Sequence, residues 1–277
     1  MREFSLINSL GNQISLNSSD TFFGDPSGLG QEHDVDYIQT GNFFVKSEDV
    51  LAQKKITGTM IFKGYEEFHA FSKFIQHKPI TMSYTSAGTY SMKISIDKLE
   101  KGELDTLGLE CDITIKGLTT WYKVINAENA GETEEGKKYP FVYPFTYTDT
   151  TLGEISVESD STLDSPCKIT ILGPCINPSW THYVNGKMTL TGKMGSAETP
   201  CSIPEGNRLV IDATKIPYEI AEYDDKGVFI QDLYQQSDFS TDRFIIARFG
   251  TNKITFTHEG SGALKLLAEM RVDYESV

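Results

Sequence analysis

The sequence has few of the residues that carry chemistry. Its 277 residues include four cysteines, Cys111, Cys167, Cys175 and Cys201, and no C-x-x-C pair. That spacing excludes a zinc ribbon and a thioredoxin-type motif, and four cysteines are too few for a disulfide scaffold. Cys111 alternates with Leu109 and Ile113, as a small buried hydrophobe would. Free thiols are expected at all four positions. Basic residues are also scarce: 25 Lys and Arg face 39 Asp and Glu, a net charge of −14. Such a surface argues against a general nucleic-acid binder, which needs clustered Lys and Arg. It is compatible with a protein that DNA passes without sticking. No stretch approaches the ~20 apolar residues of a membrane span. The Met1–Asn8 opening lacks the apolar run and small-residue cleavage site of a signal peptide. The expectation is a chain made in the cytoplasm that stays soluble or leaves in a larger particle.

Catalytic signatures are absent as well. There is no G-x-S-x-G elbow, no H-E-x-x-H helix and no G-x-x-x-x-G-K-[ST] phosphate loop. His33, His69, His77, His182 and His258 are not paired at metal-ligand spacing. His33-Asp34-Val35-Asp36 could offer two carboxylates on one strand face, but a polar entry to a strand accounts for them better. Asp224-Asp225-Lys226-Gly227 fits a hairpin turn better than a calcium loop. Paired carboxylates for glycan hydrolysis have only spatial spacing, so sequence cannot locate them. Trp121 reads as a core or boundary residue, and Trp180 as either core or exposed. No enzyme activity, metal or cofactor is expected.

What the sequence does have is period-two alternation, the mark of strands buried on one face. In Leu109–Lys116 every odd residue is apolar and every even one polar. Met92, Ile94 and Ile96; Ile169 and Ile171; Met188 and Leu190; Leu209 and Ile211; and Ile254 and Phe256 follow the same rule. A last run carries Leu266, Ala268, Met270, Val272 and Tyr274 on one side. Turn signals such as Asn185-Gly186 and Asp225-Lys226-Gly227 punctuate these runs. The fold class is therefore mainly β, built as sandwiches or barrels. One segment departs from the pattern. Phe68, Phe71, Phe74 and Ile75 recur three and four apart, which predicts a short helix over 65–76 that Pro79 prevents from continuing.

Residues 126–138 have no periodicity and are strongly acidic. Between Lys123 and Asp164 three basic residues face nine acidic ones. This reads as a solvated linker or hairpin tip. It divides the chain into an N-terminal β domain with one helix, 1–125, and an all-β domain, 139–277. The second opens on Tyr139-Pro140-Phe141-Val142-Tyr143-Pro144-Phe145, with an aromatic at every odd position and prolines that confine it to an edge or a polyproline ribbon. Tyr139, Phe141, Tyr143 and Phe145 are candidates for a domain seam or a subunit interface. Residues 17–44 read as a long irregular connection carrying Phe22, Phe23, Phe43 and Phe44. Apolar side chains on such a loop suggest contact with another chain. A loop folded back on its own domain is the alternative.

Four stretches, in order along the chain, carry a resemblance. They are Arg2–Gly11, Gly117–Tyr122, Lys168–Pro178, and the segment from Asp232-Leu233-Tyr234 through Phe249-Gly250-Thr251-Asn252-Lys253-Ile254. Together they resemble the distal tail proteins of long non-contractile phage tails. The resemblance implies a hexameric ring in the virion tail tip, made by the N-terminal β-sandwich-like domain, with a galectin-like C-terminal β-sandwich projecting as an adaptor. Implied partners are further copies of the chain, the tail tube protein, the tail-tip spike or tail-associated lysin, and receptor-binding proteins. DNA would pass through an acidic bore without specific binding, and no membrane is involved. His182-Tyr183-Val184-Asn185 does not reproduce the H-x-N-x-R spacing of sugar-binding galectins. The competing readings are a carbohydrate-binding module of an adsorption device, a cell-wall glycan hydrolase, and a contractile or bacteriocin-like baseplate ring.

Overall fold

A computed structural model describes residues 2–129, 153–260 and 265–277. The chain forms two compact units, Met1–Lys123 with Asp273–Val277, and Val124–Val272. Described residues are mostly in strands, with one α-helix among them. Residues 126–129, where composition suggested a linker, instead continue a strand, β10 (Trp121–Asn129). The rest of the acidic stretch and the aromatic-proline segment, with Tyr139, Phe141, Tyr143 and Phe145, lie outside the described residues.

The first unit contains β1 (Glu3–Ile7), β2 (Gln13–Ser15), β3 (Thr21–Ser27), β4 (His33–Thr40), β5 (Phe43–Leu51) and β6 (Lys55–Phe62). The helix α1 (Tyr65–Phe74), β7 (Ile80–Thr85), β8 (Thr89–Leu104), β9 (Leu109–Gly117) and the start of β10 follow. Antiparallel pairing runs β2-β1-β7-β8-β9-β6-β3. The 16-residue β8 makes the turn in this path. Its first part pairs with β7 and its second with β9, with register shifts after Ile96 and Lys101. Such bulges bend a strand and increase its twist. At the ends of the path, the Leu16 amide donates to the Phe4 carbonyl at 2.8 Å and its carbonyl accepts from Phe23 N–H at 2.8 Å. The two ends of the path are thus bonded to each other through Leu16.

The alternation expected at 109–115 is realised, with Leu109, Cys111, Ile113 and Ile115 all buried. Helix α1 buries Phe71 and Phe74, and Phe71 packs 5.2 Å from the Phe62 ring. Glu66 and Glu67 in its first turn suit the positive end of the helix dipole. The helix stops two residues earlier than the apolar spacing predicts, because the last turn tightens through Gln76 N–H to Lys73 C=O and His77 N–H to Phe74 C=O. Residues 17–44 are more regular than expected, since β3 and most of a β4–β5 hairpin occupy them.

The second unit contains β11 (Gly153–Ser159), β12 (Ser165–Leu172), β13 (Cys175–Ile176), β14 (Ser179–Val184), β15 (Lys187–Lys193) and β16 (Ser202–Ile203). Then come β17 (Arg208–Asp212), β18 (Glu219–Tyr223), β19 (Phe229–Asp232), β20 (Ile246–Ala247), β21 (Gly250–Thr257) and β22 (Leu266–Tyr274). One sheet runs β19-β18-β17-β12-β22 and the other β11-β21-β14-β15. Each has a buried apolar face: Ile169, Ile171, Leu209, Ile211 and Ile220 in the first, Ile155, Trp180, Ile254 and Phe256 in the second. Two antiparallel sheets with such faces form a sandwich. Trp180 settles in this core and donates from Nε1 to the Arg243 carbonyl at 3.1 Å. Gly192 on the neighbouring strand makes room for it, since a Cβ there would lie 2.2 Å from the indole. Met188 departs from the sequence expectation: it is 59 % exposed, beyond a register shift between β14 and β15 that sets it opposite Tyr183. All four cysteines are free and buried. Burial pushes the Cys167 and Cys175 thiols up to about 12 and Cys201 up to about 11.

Candidate assembly surface

The β4–β5 hairpin differs from the rest of the first unit. Its strands pair with each other and form a two-stranded sheet of their own. The two-residue link Gly41-Asn42 joins Thr40 to Phe43, and Gly41 has φ +63°. That is the turn chemistry a tight hairpin requires. The alternation of the flanking sequence carries apolar residues on both faces. Directly paired residues share a face, so Tyr37 with Lys46 and Gln39 with Phe44 lie on one side. Ile38 with Val45 and Thr40 with Phe43 lie on the other. Tyr37, Ile38, Phe43, Phe44, Val45 and Val50 are all at least half exposed, Phe43 reaching 76 %.

The base of the hairpin is polar and tied together. His33 Nδ1 lies 2.8 Å from Asp49 Oδ1, Lys46 bonds the same carboxylate, and Ser47 Oγ donates to the Asp36 carbonyl at 3.1 Å. Hydrogen bonding to Lys46 leads, with a smaller share from His33, in holding the Asp49 carboxyl below the usual carboxylate range. Asp34 and Asp36 share a face, but among the described residues no group of three His, Cys, Asp or Glu is placed to hold a metal.

An isolated two-stranded ribbon is marginal in water, and a ribbon with apolar side chains on both faces has nothing of its own to bury them against. The residues singled out from sequence are divided by the structure. Phe43 and Phe44 stand together at the hairpin tip. Phe22 is 44 % exposed on β3, a different sheet. Phe23 is a correction: it is buried, its ring centroid 5.3 Å from Phe4 in an edge-to-face pair, so it belongs to the core. Adjacent residues on a strand point to opposite faces, and one face of β3 lies on the core, so Phe22 and Phe23 cannot both be exposed. Tyr37, Ile38, Val45 and Val50 escaped the sequence reading. Gly41-Asn42 between two apolar-alternating runs was the signal for them.

In the second unit His182 is buried, with Nε2 3.2 Å from Asn252 Oδ1 and Nδ1 2.8 Å from Thr189 Oγ1. It is a core polar residue and cannot meet a sugar as a lectin histidine would. Exposed apolar side chains of this unit gather instead around β19, at Ile216, Tyr218, Val228, Phe229 and Ile230.

Residues 3–118 match the family model of the distal tail protein N-terminal domain. No curated protein sequence matches the chain significantly. Among solved structures it is similar to a chain of the phage P2 baseplate in its activated conformation with Ca, at 14 % identity, TM-score 0.66 and full coverage of both chains. A chain of the same baseplate with Sr is 16 % identical, with TM-score 0.65 and full coverage of both chains. The SPP1 Dit protein, a paradigm of hub adsorption apparatus in phages infecting Gram-positive bacteria, is 7 % identical. Its TM-score is 0.63, over 96 % of this chain and 98 % of that one. At these identities the likeness is one of fold, and it extends across both units. The first unit thus carries a distal tail protein N-terminal domain, and the chain as a whole has the fold of these baseplate and hub proteins.

Proposed function

We propose that the chain is a structural hub of the virion tail tip, forming a hexameric ring that joins the tail tube to the tail-tip and adsorption proteins. The hairpin β4–β5 carries this reading, because its two apolar faces need a partner and a ring supplies one at every subunit. In this reading the first unit makes the ring, and Phe43, Phe44, Tyr37 and Ile38 lap onto the next subunit. The second unit, 139–277 in the sequence-based division, would act as a galectin-like adaptor. The net charge of −14 would let DNA cross the bore without binding. Its partners would be the tail tube protein, a tail-tip spike or tail-associated lysin, and receptor-binding proteins, and its role non-enzymatic.

Light scattering and negative-stain microscopy of the purified chain test this. The expected result is six times the monomer mass and a six-fold ring. A Phe43→Ser/Phe44→Ser variant should fall to monomer while keeping its folded circular-dichroism spectrum, with a melting temperature that no longer depends on concentration. A ring that survives this change removes the hairpin from the interface, and a wild-type chain monomeric at all concentrations overturns the ring.

A further inference from the structure

The exposed apolar residues around β19 border a groove of about 550 Å³ within the second unit. That lies in the size range of small-molecule sites. Buried Ile220 and Ala221 contribute to its lining, and the rings of Tyr218, Phe229 and Tyr234 border it. Each ring is fixed from outside the groove. Tyr218 packs 4.8 Å from Phe244, and Phe229 packs 5.9 Å from Tyr223. Tyr234 packs 5.6 Å from Phe239, with the Arg243 guanidinium 5.1 Å from its centroid. Asp232 and Gln235 also line the groove, and Asp232 accepts the Tyr234 N–H at 2.7 Å, which fixes its carboxylate.

Three observations select the ligand. Fixed, partly exposed aromatic rings beside a carboxylate and an amide suit a molecule with alternating C–H faces and hydroxyl edges. The one lysine of the lining, Lys215, is already paired with Glu219, so Asp232 leaves the groove acidic and hostile to phosphate-bearing ligands. An added peptide strand is disfavoured. β19 is four residues long, and Glu222 pairs with Gln231 while Tyr223 pairs with Phe229, leaving Ile230 as a bulge. Short, bulged edges resist strand addition. We propose that this groove is a binding site for an uncharged saccharide, stacked on Tyr218, Phe229 and Tyr234 and hydrogen-bonded by Asp232 and Gln235.

Saturation-transfer NMR and calorimetry on the full chain test it, with tri-N-acetylchitotriose, maltotriose and lactose as uncharged probes and a glycerol-phosphate oligomer as the anionic one. At least one uncharged probe should bind, and the anionic one should not. Tyr218→Ala and Phe229→Ala should each weaken binding about tenfold, the factor that 1.4 kcal/mol represents. Tyr218→Trp, which keeps a π face, should retain binding, so a loss in the alanine variants is not read as misfolding. Ring mass measured on the same samples should not change, which separates this site from the hub reading. Failure of all three uncharged probes at millimolar concentration overturns the proposal. So does binding that the alanine variants leave intact, preference for the glycerol-phosphate oligomer, or a tail protein captured through these residues with no saccharide signal.

Discussion

Phe23 lies edge-to-face against Phe4 in the core, while Phe22, one residue before it, is 44 % exposed. Truncation should separate them. Phe23→Ala is expected to cost about 3–5 kcal/mol, the usual range for a buried phenylalanine, whereas Phe22→Ala should stay within about 1 kcal/mol. Urea unfolding of the two variants checks both figures. His182 gives a pH signature at the same scale. Burial lowers its pKa below the ordinary imidazole value, offset in part by its hydrogen bond to Asn252. The unfolded chain therefore takes up a proton before the native one does as pH falls. Its contribution is intact above about pH 6.5, the ordinary value. It declines as pH drops toward the folded pKa. The urea midpoint of wild type should fall more steeply between neutral and mildly acidic pH than that of His182→Gln. Equal slopes would remove His182 as the cause.

At the scale of elements, patterning made much of the fold legible. Leu109 to Ile115 declared their buried face because an internal strand with one wet side must alternate. Phe68, Phe71 and Phe74 declared a helix by spacing. Met188 misled because alternation records which residues share a face, not whether that face is covered. On β15 that face is covered at Gly192 and partly at Leu190, and Met188 lies beyond the register shift, where it is exposed. The hairpin is half legible: the sequence marks its aromatics, but the irregular connection expected over 17–44 contains β4 and the start of β5. Polar residues at its base, held by His33, Lys46 and Asp49, interrupted the apolar rhythm. Gly192 makes a sharper test of packing. Gly192→Ala would drive a Cβ into the Trp180 ring, and a clear loss of stability with altered Trp fluorescence is expected. A variant as stable as wild type would mean that β15 can shift at this edge.

At the scale of the whole molecule, the chain's last residues belong with its first. Asp273–Val277 join the first unit, where Tyr274 packs 5.2 Å from Tyr90 and Lys123 Nζ lies 5.0 Å from the Tyr274 ring. Thr120 Oγ1 donates to Asp273 Oδ1 at 2.5 Å. Composition at 126–138 marked a division of the chain but could not show this return, which rests on contacts between residues some 150 apart. Removing 273–277 should therefore lower the melting temperature reported by Trp121, which is buried in the first unit, when a Trp180→Phe change leaves it the sole tryptophan. An unchanged Trp121 transition would show that these contacts add nothing to the first unit.

The four sequestered thiols have a practical consequence. With Cys167, Cys175 and Cys201 buried and their thiolates suppressed, a maleimide dye has little native sulfur to attack. An Ellman titration should find almost no reactive thiol in the native protein and all four after denaturation. A single cysteine placed at Asn42, on the hairpin turn, would then be the only handle for fluorophores or cross-linkers, in a chain that keeps every cysteine of its own.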